Sequence, residues 1–286
     1  MEQTRPGTTA LATLAVAALA LCLFAAAAGA SKSETGAALL ARRAAMLELL
    51  HHQAEIALVT AAQDRSFAAY FHATDDAERA QLKQRLAHLT ANMRTTFGVD
   101  GVCLIDLTGT EIASTSEADA AEPEGANGTE ATFFHDAFLQ PARHVYLSTP
   151  FVSTDSHRWV VSYATPILVD GFVRAILHYE HNLYDYQTVL AASPDGIVGF
   201  LLLVDRDGWI IADSRKPVDM RQRGDSVDPA DYFTKFEWQG MSLADLEVRL
   251  GRDGGVMEEV VPGPDGDYRV EYRTVRGWTL LLFEKV

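Results

Sequence analysis

The chain has 286 residues, 48% of them hydrophobic and 22% charged, which is room for about two packed domains. Its net charge of −15, from 39 acidic against 24 basic residues, argues against nucleic acid and anionic lipid as partners, since both need clustered Lys and Arg. Of its two cysteines, Cys22 falls in an apolar N-terminal run and Cys103 in a strand-like run, so no disulfide framework is expected.

Residues 11–30 form a run of 20 without a charge, long enough to cross a bilayer. Arg5 precedes it, and Ala28-Gly29-Ala30 matches a small-x-small cleavage site. Signal peptide and transmembrane anchor are both open for residues 1–30. Either one places the chain from residue 31 outside the cytoplasm, in the periplasm or at the cell surface. Leu21, directly before Cys22, argues against a lipoprotein cysteine, where a small residue is wanted.

Residues 31–97 read as a helical segment. Leu39, Leu40, Ala44, Leu47, Leu50, Ala54, Ala57, Leu58 and Ala61 recur near a 3.6-residue period, predicting one long helix over 34–72. Asp75 or Asp76 is suited to cap a second helix over 77–96. The long stripe either pairs with a second copy in a homodimer or packs along its own domain.

From residue 99 the pattern turns to β. Residues 102–106 and 111–114 flank Leu107-Thr108-Gly109-Thr110, a hairpin signal. The acidic stretch 117–130 is a loop and carries the formal sequon Asn127-Gly128-Thr129. A short helix over 132–139 and a strand over 144–152 follow. Residues 158–168 and 172–179 then read as two strands joined by Val169-Asp170-Gly171, a hairpin too apolar to stand uncovered in water.

After a helix over 184–192 and the break Ser193-Pro194-Asp195-Gly196, the chain repeats itself. Asp106, Gly109, Ile112 and Ala113 return 99 residues later as Asp205, Gly208, Ile211 and Ala212. Tyr163-x-Thr165 returns as Tyr272-x-Thr274, and a second hairpin spans 268–275 and 277–284. Such a period means two similar domains in tandem, 98–194 and 195–286, each a mixed sheet with helices alongside. The fold class is α+β.

His178-Tyr179-Glu180-His181 is the one dense cluster of ligand-type residues. On a strand, alternation puts His178 and Glu180 on one face and His181 on the other, so the three do not meet one metal. The sequence contains no Gly-rich phosphate loop, Gly-x-Ser-x-Gly elbow or Cys-x-x-Cys pair. Asp205-Arg206-Asp207-Gly208 lacks the remaining ligands of a calcium loop and reads as a turn. No enzyme, metal or cofactor is expected.

Taken in order, Ser148-Thr149-Pro150-Phe151-Val152, Ser162-Tyr163-Ala164-Thr165-Pro166-Ile167, residues 200–208 and Gly277-Trp278-Thr279-Leu280 resemble the double Cache sensor domain, a pair of PAS-like units found in bacterial chemoreceptors and sensor kinases. The resemblance covers nearly all of residues 31–286. It implies an exported small-molecule sensor that binds ligand in the membrane-distal unit, 98–194, with 195–286 as the membrane-proximal unit. Signalling would then run through a partner or an output domain. Amino-acid-binding members carry Arg-x-Trp-Tyr on the distal helix, a Tyr after the Pro of the next strand and an Asp at the end of the hairpin. The resemblance puts these at Ala131, Phe133-Phe134, Phe151 and Glu180, and Ser153 and Tyr163 complete the candidate set. With Ala131 at the Arg position no cation grips an α-carboxylate, so an aromatic slot with one carboxylate suits a cationic or neutral ligand. Arg158 and His178 are alternative partners for Glu180. The other reading is an interaction protein that keeps the fold and has lost its ligand.

Overall fold

The computed structural model describes residues 35–116, 134–153, 156–191, 198–216, 229–250, 260–263 and 265–286. The N-terminal apolar run, the 117–130 loop with its sequon, residues 131–133 and the break at 193–196 lie outside them. Thr35–Val286 make up one compact unit, an α+β structure in which a long helix leads into two antiparallel sheets.

Helix α1 (Gly36–Ala61) starts at Thr35, whose hydroxyl accepts the Ala38 N–H at 3.3 Å. Leu40, Ala44, Leu47, His51, Ala54 and Leu58 alternate steps of four and three, and all are buried. The expected single helix over 34–72 is broken. Asp64 turns its carboxylate onto the Ser66 N–H at 2.7 Å and caps a separate helix, α2 (Arg65–His72). A short acidic side chain that bonds its own backbone competes in this way with continuation of the helix. Asp75 caps α3 (Asp76–Phe97), which closes on Gly98 at φ +63°.

The first sheet comprises β1 (Gly101–Asp106), β2 (Glu111–Ser116), β3 (Tyr146–Leu147), β4 (Phe151–Val152), β5 (Trp159–Val169) and β6 (Phe172–Asn182). Its order is β2-β1-β6-β5-β3, with β4 also on β5, and a five-residue helix α4 (Phe134–Phe138) lies between β2 and β3 in sequence. Asp170 (φ 53°) and Gly171 (φ 81°) turn β5 into β6, both left-handed as a two-residue hairpin requires. The strand expected over 144–152 is two short strands. Between them the Ser148 hydroxyl accepts the Ser162 N–H at 2.8 Å, and Pro150 has no N–H to continue the ladder.

Helix α5 (Leu183–Ala191) leads to the second sheet, which runs β12 (Val261–Gly263), β13 (Gly266–Val275), β14 (Trp278–Lys285), β7 (Gly199–Val204), β8 (Trp209–Asp213), β9 (Thr234–Lys235). A small ribbon of β10 (Glu237–Trp238) and β11 (Met241–Ser242), and helix α6 (Leu243–Leu250), complete the described elements. Read from β8, the order β8-β7-β14-β13-β12 matches β2-β1-β6-β5-β3 of the first sheet.

Part of the repeat is structural. Asp106 Oδ1 accepts the N–H groups of Thr108 and Thr110 at 2.8 and 3.0 Å, and Asp205 Oδ1 those of Asp207 and Trp209 at 2.9 and 2.8 Å. Gly109 and Gly208 follow at φ 83° and 84°, and both pairs of strands carry a bulge just before the Asp. The Tyr-x-Thr likeness is not structural. Tyr163 packs in the core beneath α1, whereas Tyr272 faces the opposite side of its sheet.

One apolar core runs from the α1 seam beneath both sheets, through Leu47, Leu58, Val102, Leu104, Trp159, Leu177, Leu203, Trp278 and Leu280. The stripe of α1 is thereby buried in its own chain, with Arg276 tying it down through Glu48 at 3.4 Å and Glu55 at 2.8 Å. Among the described residues no helix is long and apolar enough to cross a membrane.

Candidate functional site

The outer face of each sheet, turned away from α1, differs sharply between the two halves. Pairing brings equivalent positions into register: Gly101 stands opposite Glu180, and Glu180 opposite Ser162. Counted from the matched Asp106 and Asp205 turns, the same places in the second sheet are Phe200, Phe283 and Val270. Cys103 and His178 likewise correspond to Leu202 and Leu281. In the second sheet this face is filled: Phe200 stacks on Phe283 at 4.7 Å, and Phe236, Trp238 and Tyr268 close over them. In the first, small and polar groups occupy it.

Glu180 is 7% exposed and lies beside Gly101, where a Cβ would come within 3.3 Å of its Oε2. The main chain around it is fixed, with the Asp100 N–H donating to the Glu180 carbonyl at 3.0 Å. Two residues back, His178 is buried, and its Nδ1 lies 3.2 Å from the Ser162 hydroxyl. Burial lowers the His178 pKa to about 3, so the ring is neutral at physiological pH. Ser162 itself is fully buried between the two, its N–H held by the Ser148 hydroxyl. At the end of β6, Asn182 donates to Asp100 at 3.1 Å, and Arg158 lies 3.8 Å from the same carboxylate.

Apolar side chains border this polar strip. Phe134 and Ala137 of α4 join Cys103, Ile105, Ala164 and Ile176 in a small cluster, with Phe138, Tyr146 and Phe151 packed against it. Phe134 meets Phe138 edge-on at 4.8 Å. Asp136 accepts a bond from the Tyr146 hydroxyl at 3.1 Å, which anchors α4 to β3. The arrangement is a carboxylate and a hydrogen-bonded Ser–His pair sunk beside an aromatic wall, chemistry suited to holding a polar or cationic group. Among the described residues no three His, Cys, Asp or Glu side chains converge to hold a metal.

Of the residues singled out from sequence, Phe134, Phe151 and Glu180 lie on this one face, while Phe133 falls outside the described residues. Ser153 is buried in the turn before β5, where its hydroxyl accepts the Ser156 N–H at 3.2 Å. Tyr163 is not on that face. Odd-numbered residues of β5 point to α1, so Tyr163 lies on the far face, hydrogen-bonded to His51 Nδ1 and 2.7 Å from the Tyr186 hydroxyl. Burial pushes the Tyr163 and Tyr186 hydroxyls well above the usual phenol range. Burial, reinforced by Arg276 and His181, holds His51 at about 3. His181 lies on this side too, its ring 5.6 Å from that of Tyr186.

Sequence reasoning missed Gly101 and Ser162. Both are small residues opposite Glu180; Gly101 faces it across the β1–β6 ladder, whose strands lie far apart in sequence, and for Ser162 a bulge at Ile167/Leu168 shifts the β5–β6 register by one. Counting from the Asp-Gly turn therefore pairs Glu180 with the wrong residue.

No family model matches the sequence, and no curated protein matches it. Solved structures do. The sensory domain of the Campylobacter jejuni chemoreceptor Tlp3 with isoleucine bound superposes with a TM-score of 0.65 at 12% identity, covering 87% of this chain and 90% of that one. The sensor domain of the V. cholerae histidine kinase DctB gives 0.58 at 14% identity, over 87% and 95%. The ligand-binding domain of the Pseudomonas fluorescens chemoreceptor CtaA, in complex with L-serine, gives 0.52 at 17% identity, over 85% and 92%. These neighbours are double Cache domains, and the chain has that fold.

Proposed function

With a double Cache fold as the premise, we propose that the chain is an exported small-molecule-sensing module. Its ligand sits in the first unit, 98–194, on the face carrying Glu180, and it signals through a partner or an output domain. The observation that carries this reading is the contrast at matched positions. Gly101, Ser162, His178 and Glu180 occupy the places where the second unit, 195–286, is filled by Phe200, Val270, Leu281 and Phe283. A domain that had lost its ligand would gain stability by filling both faces alike, because buried polar groups cost free energy that apolar ones do not. The neighbours' bound isoleucine and L-serine support a small polar ligand. With Ala131 in place of a guanidinium, the ligand is cationic or neutral, its positive or donor group directed to Glu180 beside Phe134 and Phe151.

The apolar run 11–30 supports export, followed by anchoring or cleavage at Ala30. Pairing of two chains would use the outer face of α1, because its Leu40–Leu58 seam is already buried in its own chain. The test is a thermal-shift screen against amines, amino acids, carboxylates and purines. A ligand of the native state raises the melting temperature by mass action. An amine or neutral polar compound should do so, and the shift should disappear in Glu180→Gln. If no compound in any class shifts the wild type, the interaction-protein reading replaces this one.

A further inference from the structure

A second recess lies at the opposite end of β5. Where the helical segment breaks between Ala61 and Arg65, α1 and α2 part and leave a groove of about 380 Å³ against the hairpin end of the first sheet. Its walls are mostly apolar, from Val59, Phe67, Pro166 and Leu168 with Gln63 and Thr165 beside them, and Phe67 is buried to 1% exposure. Arg65 and Arg143 stand at the groove as well, and among the described residues neither guanidinium has an ion-pair partner. The carboxylate that also borders it, Asp64, is engaged in capping α2. Leu168 is six residues along β5 from Ser162, about 20 Å at strand spacing, so this groove is separate from the Glu180 face.

Arg143 carries a further mark. It sits in the turn closed by the His144 N–H on the Pro141 carbonyl at 3.1 Å, at φ 65°, a conformation that glycine adopts without strain. The turn places Arg143, exposed and cationic, at the groove. We propose that this groove binds a soluble amphipathic monocarboxylate of about six to ten carbons, the size a pocket of this order accommodates. The chain lies along Val59, Phe67, Pro166 and Leu168, and the carboxylate pairs with Arg143 and Arg65.

Isothermal calorimetry of the full chain with octanoate tests this. One saturable site per chain is expected, with octylamine, octanol and inorganic phosphate binding at least about tenfold more weakly. Arg143→Gly removes the guanidinium while suiting the left-handed backbone, so it should weaken octanoate by about tenfold or more without lowering the melting temperature. Arg143→Lys should fall between. Glu180→Gln should leave octanoate affinity unchanged, which separates this site from the one proposed above. Equal affinity for octanoate, octanol and octylamine would reduce the groove to an apolar patch. Equal affinity for phosphate would remove the apolar half of the claim. Unchanged affinity in Arg143→Gly, or loss in Glu180→Gln, would overturn it.

Discussion

Gly101 stands opposite Glu180 in the β1–β6 ladder, and its missing side chain leaves the room in which the buried Glu180 carboxylate lies, since a Cβ there would come within 3.3 Å of Oε2. The matched pair in the second sheet, Phe200 and Phe283, stacks with an interplanar angle of 9° and leaves no such room. Gly101→Val should therefore occlude the ligand while the strand tolerates a branched residue. Calorimetry should show affinity reduced by more than about tenfold with the far-ultraviolet circular dichroism unchanged. Wild-type affinity in this variant would mean the ligand does not approach along Gly101.

In the second sheet the same substitution logic predicts stability rather than binding. Phe283 is fully buried beneath Phe200, Trp238 and Tyr268. Phe283→Ala should cost about 3–5 kcal/mol, the range for an aromatic cavity. Urea unfolding measures that loss, and ligand affinity under native conditions should stay at the wild-type value.

Acid should weaken the fold through two buried histidines. His51 and His178 both drop from 6.5 to about 3, burial being the first cause in each. Between those values the unfolded chain binds more protons than the folded one, so stability is complete above 6.5 and is lost as pH falls through that window. Each group accounts for about 2 kcal/mol between pH 6.5 and about pH 5. Thermal melts at about pH 7.5 and about pH 5 check the sign, and His51→Gln should flatten the dependence. A melting temperature that rises on acidification would contradict it.

Much of this architecture was legible from residue patterns, because strands, hairpin turns and helix caps are set locally. Asp75, Asp170-Gly171 and the Asp106/Asp205 turns each announce themselves in a few residues. The helix break at Asp64 was not, since a capping carboxylate inside a periodic stripe looks like one more polar position. The site was legible only in part. Glu180 stood out as an acid in an apolar strand, but Ser162 faces it only through a bulge that no local signal marks, and Gly101 only through a pairing of strands distant in sequence. Tyr163 and Tyr272, alike in local sequence, lie on opposite faces of their sheets, so the Tyr-x-Thr match says nothing about which face a residue occupies.

The claim on which the functional account rests is that Glu180 receives the ligand. Calorimetric titration of wild type and Glu180→Gln with the compound that gives the largest thermal shift tests it most directly. The account predicts a loss of about 1.5–3 kcal/mol, that of a charge-assisted hydrogen bond, with the unliganded melting temperature little changed. Unaltered affinity in Glu180→Gln would contradict the account and return the polar face of the first sheet to a structural role.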